Sequence, residues 1–214
     1  NVPQQAQIET NLCEAAARHG AAYAVKLSTV TPVLEMEQGG PYAAHLAAEA
    51  ALASCGVPYT VLRPNLFMQM LTDGFLGLGL DADGAAAHPF AASRISMVDA
   101  RDVGAAAAAL LALPSPAASE HSGATYRLSG PAAVAVGDEL ASAVSALCPR
   151  KVRVSSCSVA EHVRRRMPGL PEAAAASVEG FLEVLAGRCD EVTAEVERLS
   201  GRPPTSVQAF VREH

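Results

Sequence analysis

The residues of this chain that could do chemistry are few, and most of them lie in its first 70 positions. His45 comes one helical turn before Glu49, while Ser28 and Asn65 each follow a run of apolar and β-branched residues. A histidine titrates near neutrality and can transfer a proton, whereas a hydroxyl or amide can touch a ligand or satisfy loop backbone. The sequence has no serine–histidine–aspartate arrangement with an elbow turn and no metal-ligand spacing, which argues against a hydrolase or a metalloenzyme.

The chain also lacks the glycine-rich turn that holds the pyrophosphate of a dinucleotide. Such a turn, with G-x-G-x-x-G spacing between a strand and a helix, lets backbone N–H groups approach the phosphates. The nearest candidates, Gly39-Gly40-Pro41 and Gly77-Leu78-Gly79, do not lie between a β-rich run and a helix start, so both are predicted to be loops. Because the chain opens with Asn1 directly in a predicted helix, we expect it to be the downstream part of a longer protein.

Composition and charge narrow the class of protein. The 214 residues are 50% hydrophobic and 18% charged, enough apolar material for one large domain or a domain with a small appendage. A net charge of -6 argues against a nucleic-acid partner. Five widely spaced cysteines without a C-x-x-C pair indicate neither a disulfide framework nor a zinc site, and favour a reducing, cytoplasmic location. The longest small-apolar run, residues 103–113, is shorter than the roughly 20 residues of a membrane span.

Helical and extended segments alternate through the first 130 residues. The predicted helices are residues 4–19, 42–55 and 101–113, and the predicted strands are residues 22–28, 58–64, 94–98 and 125–129. Strands separated by helices of this size pair in parallel, because a parallel neighbour is reached only through a crossover. The pattern predicts an α/β fold with a partial doubly wound, Rossmann-like parallel sheet. Asp99 is predicted to cap the third helix, with Asp102 in its first turn.

The last third of the chain no longer alternates regularly between strands and helices, and it is predicted to be a smaller, mostly helical lobe. A helix over residues 136–147 and a short strand over 151–156 precede a series of helices separated by glycine and proline turns. Thr205 and Gln208 have the spacing of a capping box for the final helix. We therefore divide the chain into residues 1–130, the C-terminal half of a nucleotide-binding domain, and residues 131–214, the C-terminal lobe.

Several short motifs, taken in their order and spacing, resemble the NmrA-like branch of the atypical short-chain dehydrogenase/reductases. They are Val25-Lys26-Leu27-Ser28-Thr29, His45-x-x-x-Glu49, Gly56-Val57-Pro58-Tyr59-Thr60-Val61-Leu62-Arg63-Pro64-Asn65-x-Phe67-Met68-Gln69, Ser96-Met97-Val98-Asp99-x-Arg101-Asp102-Val103, Tyr126-x-Leu128-Ser129-Gly130-Pro131 and Gly201-Arg202-Pro203-Pro204 followed by Phe210-Val211. The likeness covers essentially the whole chain.

This resemblance implies an NADP(H)-binding Rossmann domain whose first strands and glycine-rich turn lie upstream of Asn1. It also implies the residues that line the nicotinamide side. They are Ser28, Thr29, His45, Pro64, Asn65 and Phe67 for the cofactor, with Phe67 and Met68 toward the substrate. The residues by themselves favour the same place, because ligands of such sheets bind outside the carboxyl ends of the strands.

The usual catalytic pair of the short-chain dehydrogenases is absent. Those enzymes use Tyr-x-x-x-Lys, but here Tyr42 is followed four residues later by Leu46. His45 stands where related proteins often have a lysine, and it or a water could supply the proton that accompanies hydride transfer. The alternative is a helix-surface histidine paired with Glu49. The other histidines, at positions 19, 88, 121, 162 and 214, are predicted to be surface residues.

Two functions follow from the resemblance. The first is an NADPH-dependent reductase of a small carbonyl or quinone, an oxidoreductase without the Tyr-x-x-x-Lys pair. The second is a non-catalytic NADP(H) redox sensor that regulates a protein partner. Without preceding strands, the segment 22–28 would present an unpaired apolar edge, so we expect the isolated 214-residue chain to bind NADP(H) poorly.

Overall fold

The structure is a computed structural model that describes residues 4–36, 42–71, 77–114, 120–147, 149 and 151–214. Asn1, the predicted Gly39-Gly40-Pro41 loop and Cys148 lie outside the described residues. Within the described part of the chain, no helix is long and apolar enough to cross a membrane.

The elements alternate along the chain much as the sequence predicts. The α-helices are α1 (Gln5–Arg18), α2 (Thr31–Leu34), α3 (Ala43–Ser54), α4 (Ala100–Leu111), α5 (Ala141–Ser145), α6 (Val159–Arg166), α7 (Glu172–Arg188), α8 (Glu195–Ser200) and α9 (Val207–Glu213). The strands are β1 (Ala24–Leu27), β2 (Tyr59–Pro64), β3 (Ala85–His88), β4 (Arg94–Ile95), β5 (Thr125–Leu128), β6 (Val134–Ala135) and β7 (Arg153–Ser156). A 3₁₀ turn spans Met68–Leu71, and a π-helical turn, Val136–Leu140, leads into α5.

A three-stranded parallel sheet forms the centre of the fold, with strand order β1-β2-β5. Lys26 lies opposite Val61 across the first pair, and Leu62 lies opposite Tyr126 across the second. Successive side chains of a strand point to opposite faces. Lys26 accordingly meets α1 and α3, whereas Leu62, which follows its partner Val61, packs with Val103 of α4 on the other face. Helices therefore cover both faces, and the predicted doubly wound α/β architecture is confirmed.

The segment predicted as a strand over residues 94–98 is only partly extended. Arg94 and Ile95 form an antiparallel pair with β6, and Val98 makes one parallel bridge to Phe67. Between them, Ser96 is buried and its backbone N–H donates to the carbonyl of Cys189, 2.9 Å away. The prediction of a continuous strand is wrong because the end of α7 satisfies this backbone instead of a neighbouring strand.

The C-terminal third packs closely on the rest of the chain. β7 pairs in parallel with β3, which precedes it by more than 60 residues. A large apolar core joins Met68, Ile95 and Met97 to Leu182 and Phe210. Elements on the two sides of residue 130 thus share both a small sheet and a hydrophobic core.

Two predicted helix caps have different outcomes. Asp99 caps α4 as expected, accepting a hydrogen bond from the backbone N–H of Arg101 at 2.8 Å. The capping box at Thr205 is wrong: Ser206 caps α9, accepting from the N–H of Ala209 at 3.1 Å. Thr205 contacts Asp102 instead. Its backbone N–H donates to this carboxylate at 2.6 Å and its hydroxyl donates to it at 3.2 Å.

The prediction that the remaining histidines lie on the surface is wrong for two of them. His88, on β3, and His162, on α6, are 2% and 1% exposed, with ring centroids 4.9 Å apart. His88 also meets the edge of Phe90 at 5.1 Å. These two rings meet where α6 packs near the paired strands β3 and β7. The local sequence around either histidine does not indicate this contact.

One edge of β1 is unpaired. Among the described residues β1 pairs with β2 alone, so its other edge has no strand beside it, as expected from the sequence. Of its four residues only Leu27, at the end, is exposed, at 49%.

The Asp102–Thr205 contact predicts a stability effect. Asp102→Ala leaves the Thr205 N–H and hydroxyl without their shared acceptor and is expected to lower the free energy of unfolding by about 1–3 kcal/mol. Asp138→Ala is the matched control at an exposed position, with an expected change within about 0.5 kcal/mol. Urea denaturation of the two variants compares them, and equal effects would contradict this role of Asp102.

Candidate functional site

A cleft opens at the carboxyl ends of β1 and β2, where the ligands of parallel sheets bind. Its volume is about 320 Å³. We call it the strand-end cleft. It is lined by Leu27, Ser28, Thr29, Val30, Tyr42, His45, Pro64, Asn65, Leu66, Phe67, Met70 and Phe181. The fold therefore brings together the six residues that the sequence assigns to the cofactor, from β1, α3 and the end of β2.

Met68, predicted to face the substrate, does not line the cleft. Its side chain is fully buried and packs in the core with Ile95 and Met97. The chain enters a 3₁₀ turn at this point, so side chains three positions apart point the same way and Met70 joins Phe67 at the cleft wall. The expected place of Met68 in the cleft is therefore wrong, and Met70 lies there instead.

Glu49 joins the ends of the two strands that form the floor of the cleft. It accepts two hydrogen bonds from the guanidinium of Arg63, from Nε at 3.2 Å and from Nη2 at 2.5 Å. The buried hydroxyl of Ser28 donates to the same carboxylate. The side chains of Glu49 and Arg63 are only 13% and 22% exposed. The alternative in which His45 pairs with Glu49 is therefore wrong, since Arg63 and Ser28 occupy this carboxylate.

Asn65 uses its side chain to hold the protein together. Its Nδ2 donates to Ser96 Oγ at 2.7 Å and to the carbonyl of Cys189 at 2.9 Å, while its Oδ1 accepts from the N–H of Leu66 at 2.7 Å. The amide thus joins the end of β2 to the end of α7. The polar side-chain groups of Asn65 and Ser28 already have protein partners. Each of these two residues therefore contributes its backbone to the cleft wall.

Lys26, which the sequence pattern did not assign to the site, lies beside His45. Its ammonium forms an ion pair with Glu9 at 2.6 Å, donates to the carbonyl of Leu27 at 2.7 Å and reaches Nδ1 of His45 at 3.3 Å. The Lys26 side chain is 12% exposed and the Glu9 side chain 21%. A lysine within an otherwise apolar strand was the signal in the sequence, because a buried ammonium needs partners.

The electrostatics of this cluster keep His45 neutral and Glu9 ionised. Burial lowers the pKa of His45, and the positive charge of Lys26 lowers it further, against the opposing effect of Glu9 and Glu49. Burial alone would raise the pKa of Glu9, but the hydrogen bonds from Lys26 and Gln5 outweigh it, so this pKa lies below its ordinary value.

Tyr42 lies over His45 at the mouth of the cleft. The two rings stack with centroids 5.9 Å apart and planes 18° apart, and Phe181 of α7 meets the phenol ring at 5.0 Å. Burial raises the pKa of Tyr42. An activated phenol needs the opposite shift, so the chemistry of the Tyr-x-x-x-Lys pair does not apply to Tyr42.

The walls of the cleft are mostly apolar. They are made of Leu27, Pro64, Phe67, Met70 and Phe181, with His45 as a titratable side chain among them. Apolar walls with a few polar groups are typical of sites for small molecules. The sequence contains no glycine-rich turn of the kind that holds a pyrophosphate.

Comparisons with known proteins agree with this geometry. The chain is 30% identical to an NAD(P)H azoreductase of Xenophilus azovorans over 166 residues, which are 74% of this chain and 54% of the azoreductase. It superimposes on an NADPH-dependent quinone oxidoreductase from Escherichia coli, complexed with NADPH, with a TM-score of 0.77 and 22% identity, covering 100% of this chain and 72% of that one.

The negative transcriptional regulator NmrA, complexed with NAD, matches with a TM-score of 0.73 and 18% identity over 99% of this chain and 70% of its own. No family model matches the sequence. The resemblance to NmrA-like proteins is confirmed, and the structural matches establish it at the level of the fold. The chain spans about half the length of the azoreductase (54%).

The Glu49 contacts predict that this residue stabilises the cleft floor. Glu49→Ala leaves Arg63 without its partner and is expected to cost about 1.5–3 kcal/mol of unfolding free energy. Glu14→Ala is the matched control, because Glu14 also lies on a helix opposite an arginine, Arg18, but its side chain is 59% exposed. That change is expected to stay below about 1 kcal/mol. If thermal and urea unfolding show equal losses for the two variants, Glu49 does not act as described.

Proposed function

We propose, starting from the premise that this chain has the fold of the NmrA-like atypical short-chain dehydrogenase/reductases, that it forms the nicotinamide side and the substrate lobe of an NADPH-dependent reductase. The substrate class is a small apolar carbonyl compound or quinone. The strand-end cleft is the observation that carries the proposal, since Ser28, Thr29, His45, Pro64, Asn65 and Phe67 converge on one cavity. In this proposal residues 1–130 belong to the nucleotide domain and residues 131–214 to the lobe.

NADPH, when bound, supplies a hydride, so that the substrate gains two electrons and one hydrogen, its oxygen takes a proton, and NADP⁺ is released. Within the protein, Phe67, Met70 and Phe181 form the apolar wall that excludes water from the reacting carbon. The carboxylate of Glu49, which accepts from Ser28 and Arg63, joins the ends of β1 and β2 below this wall. His45 contributes a hydrogen bond at the edge of the cleft, in keeping with an imidazole that stays neutral.

The reductase is favoured by the apolar walls and by the named activities of the relatives, an azoreductase and a quinone oxidoreductase. The alternative is a redox sensor that binds NADP(H) and changes its affinity for a protein partner. Its support is the likeness to NmrA together with the raised pKa of Tyr42, which leaves this tyrosine unsuited to acid catalysis.

One experiment separates the two functions. NADPH oxidation by the complete gene product is followed at steady state over a panel of quinones and aldehydes, with NADPH affinity measured in parallel. Turnover of a quinone or aldehyde supports the reductase. Tight NADPH binding without turnover of any substrate on the panel contradicts it and favours the sensor.

The substrate wall gives a more specific prediction. Phe67→Ala removes a large apolar surface from the cleft and is expected to raise KM for an apolar quinone on the order of tenfold, with kcat less affected. Phe67→Leu keeps most of that surface and serves as the control, with a smaller rise in KM. An unchanged KM in the alanine variant would place the substrate elsewhere.

A further inference from the structure

The ammonium of Lys26 lies within hydrogen-bond distance of one ring nitrogen of His45. A lysine ammonium has three donors and no acceptor. Its partners here are three acceptors, namely Glu9 Oε2 at 2.6 Å, the Leu27 carbonyl at 2.7 Å and His45 Nδ1 at 3.3 Å. A nitrogen that accepts from an ammonium carries its lone pair toward it. In the neutral ring the proton must then be on Nε2.

Nε2 is the group that His45 can offer to a ligand. The ring of His45 lines the strand-end cleft, and within the described residues the hydrogen bond to Lys26 through Nδ1 is the one that His45 makes. Tyr42 stacks on the face of the ring, with centroids 5.9 Å apart. A neutral imidazole that keeps its proton on Nε2 can polarise a carbonyl oxygen without giving up that proton.

We propose that Lys26 is a positioning residue, which holds His45 as the neutral Nε2–H tautomer so that the imidazole donates a hydrogen bond to the oxygen of a carboxamide, carbonyl or quinone in the strand-end cleft. The inference rests on the proposed function for the identity of the ligand. It assigns His45 the role of a neutral donor, so the proton that reaches the reduced oxygen comes from water.

The surrounding charges agree with this role. The elements packed against His45 bring Lys26 from β1, Glu9 from α1 and Glu49 from α3. Glu9 neutralises Lys26 directly at 2.6 Å, and Arg63 and Ser28 occupy Glu49. Neither carboxylate accepts a hydrogen bond from His45 among the described contacts. Lys26, 3.3 Å from Nδ1, is the charged group that contacts this ring there. The pKa of His45 is lowered first by burial and then by the positive charge of Lys26.

The test reads the tautomer directly, in ligand-free protein. Nitrogen-15 NMR of the histidine ring at neutral pH is expected to show His45 with a protonated Nε2 and an unprotonated Nδ1. Lys26→Met should let the Nδ1–H tautomer appear beside the Nε2–H one and raise the pKa of His45, because the donor and its positive charge are both removed. Lys26→Arg, which keeps a charged group with donors only, should restore the wild-type pattern. Lys151→Met, at the chain's other lysine, which is exposed, should leave His45 unchanged.

Kinetics then test whether the donor is used. In Lys26→Met we expect kcat/KM for quinone reduction to fall about tenfold to a hundredfold, with recovery in Lys26→Arg. An unchanged His45 tautomer in Lys26→Met overturns the proposal, as does an undiminished kcat/KM in a variant whose tautomer is lost. Lys26→Met leaves Glu9 unpaired. If that variant fails to fold, the double variant Lys26→Met with Glu9→Gln removes the unpaired charge, and the His45 tautomer and kcat/KM are measured in it instead.

The two measurements separate this inference from the proposed function. Absence of NADPH oxidation by the wild-type protein would contradict the reductase, while the NMR spectrum of the ligand-free protein would still decide whether Lys26 sets the tautomer of His45.

Discussion

The carboxylate of Glu49 is the contact on which the strand-end cleft depends. Its side chain accepts hydrogen bonds from Ser28, which follows β1, and from Arg63, near the end of β2. Backbone hydrogen bonds already align these strands, with the N–H of Ser28 donating to the carbonyl of Leu62 at 2.8 Å. The ion pair adds the lateral position of α3, because Glu49 lies in the middle of that helix. His45, one turn earlier, is placed over the cleft by the same constraint.

Different interactions hold the covering helices on the two faces of the central sheet. On the face toward α4 and α8, Leu62, Leu128 and Val103 form an apolar cluster, where burial of hydrocarbon provides the stability. On the face toward α1 and α3, the sheet carries Lys26 and Arg63, each paired with a glutamate of a covering helix. Partly buried ion pairs add little net stability but penalise any arrangement that separates them. The charged face therefore sets the positions of α1 and α3, while the apolar face supplies most of the cohesion.

A second connection ties the cleft to the C-terminal third of the chain. Asn65 and Ser96 both bind the carbonyl of Cys189, and Ser96 also donates to the carbonyl of Glu191 at 2.5 Å. Burial raises the pKa of the Cys189 thiol to about 12, so this residue behaves as a small apolar group in the core. Phe181 lies on the same helix, two turns before this junction. The position of α7 against the cleft thus depends on hydrogen bonds made at its end.

The sequence by itself determined the alternation of elements, the parallel pairing of β1 with β2, the cap at Asp99 and the strand ends between which a cleft opens. These features depend on local signals: apolar periodicity, turn residues and the rule that strand ends of a parallel sheet form the ligand crevice. The glycines that follow α1 and α3 belong to this group, since Gly20 and Gly56 adopt the positive φ angles expected of helix-ending residues.

The tertiary structure alone decided which side chains meet. Lys26 reaches His45, Asp102 holds Thr205, and His88 lies against His162, over separations of 19, 103 and 74 residues. Met68 lies in the core, at the start of a 3₁₀ turn that the sequence analysis did not predict. A local pattern records whether a residue prefers a helix, a strand or a turn. The partner of a buried charge or ring is chosen by the packing of whole elements, because only packing brings distant residues within the 3 Å or so of a hydrogen bond.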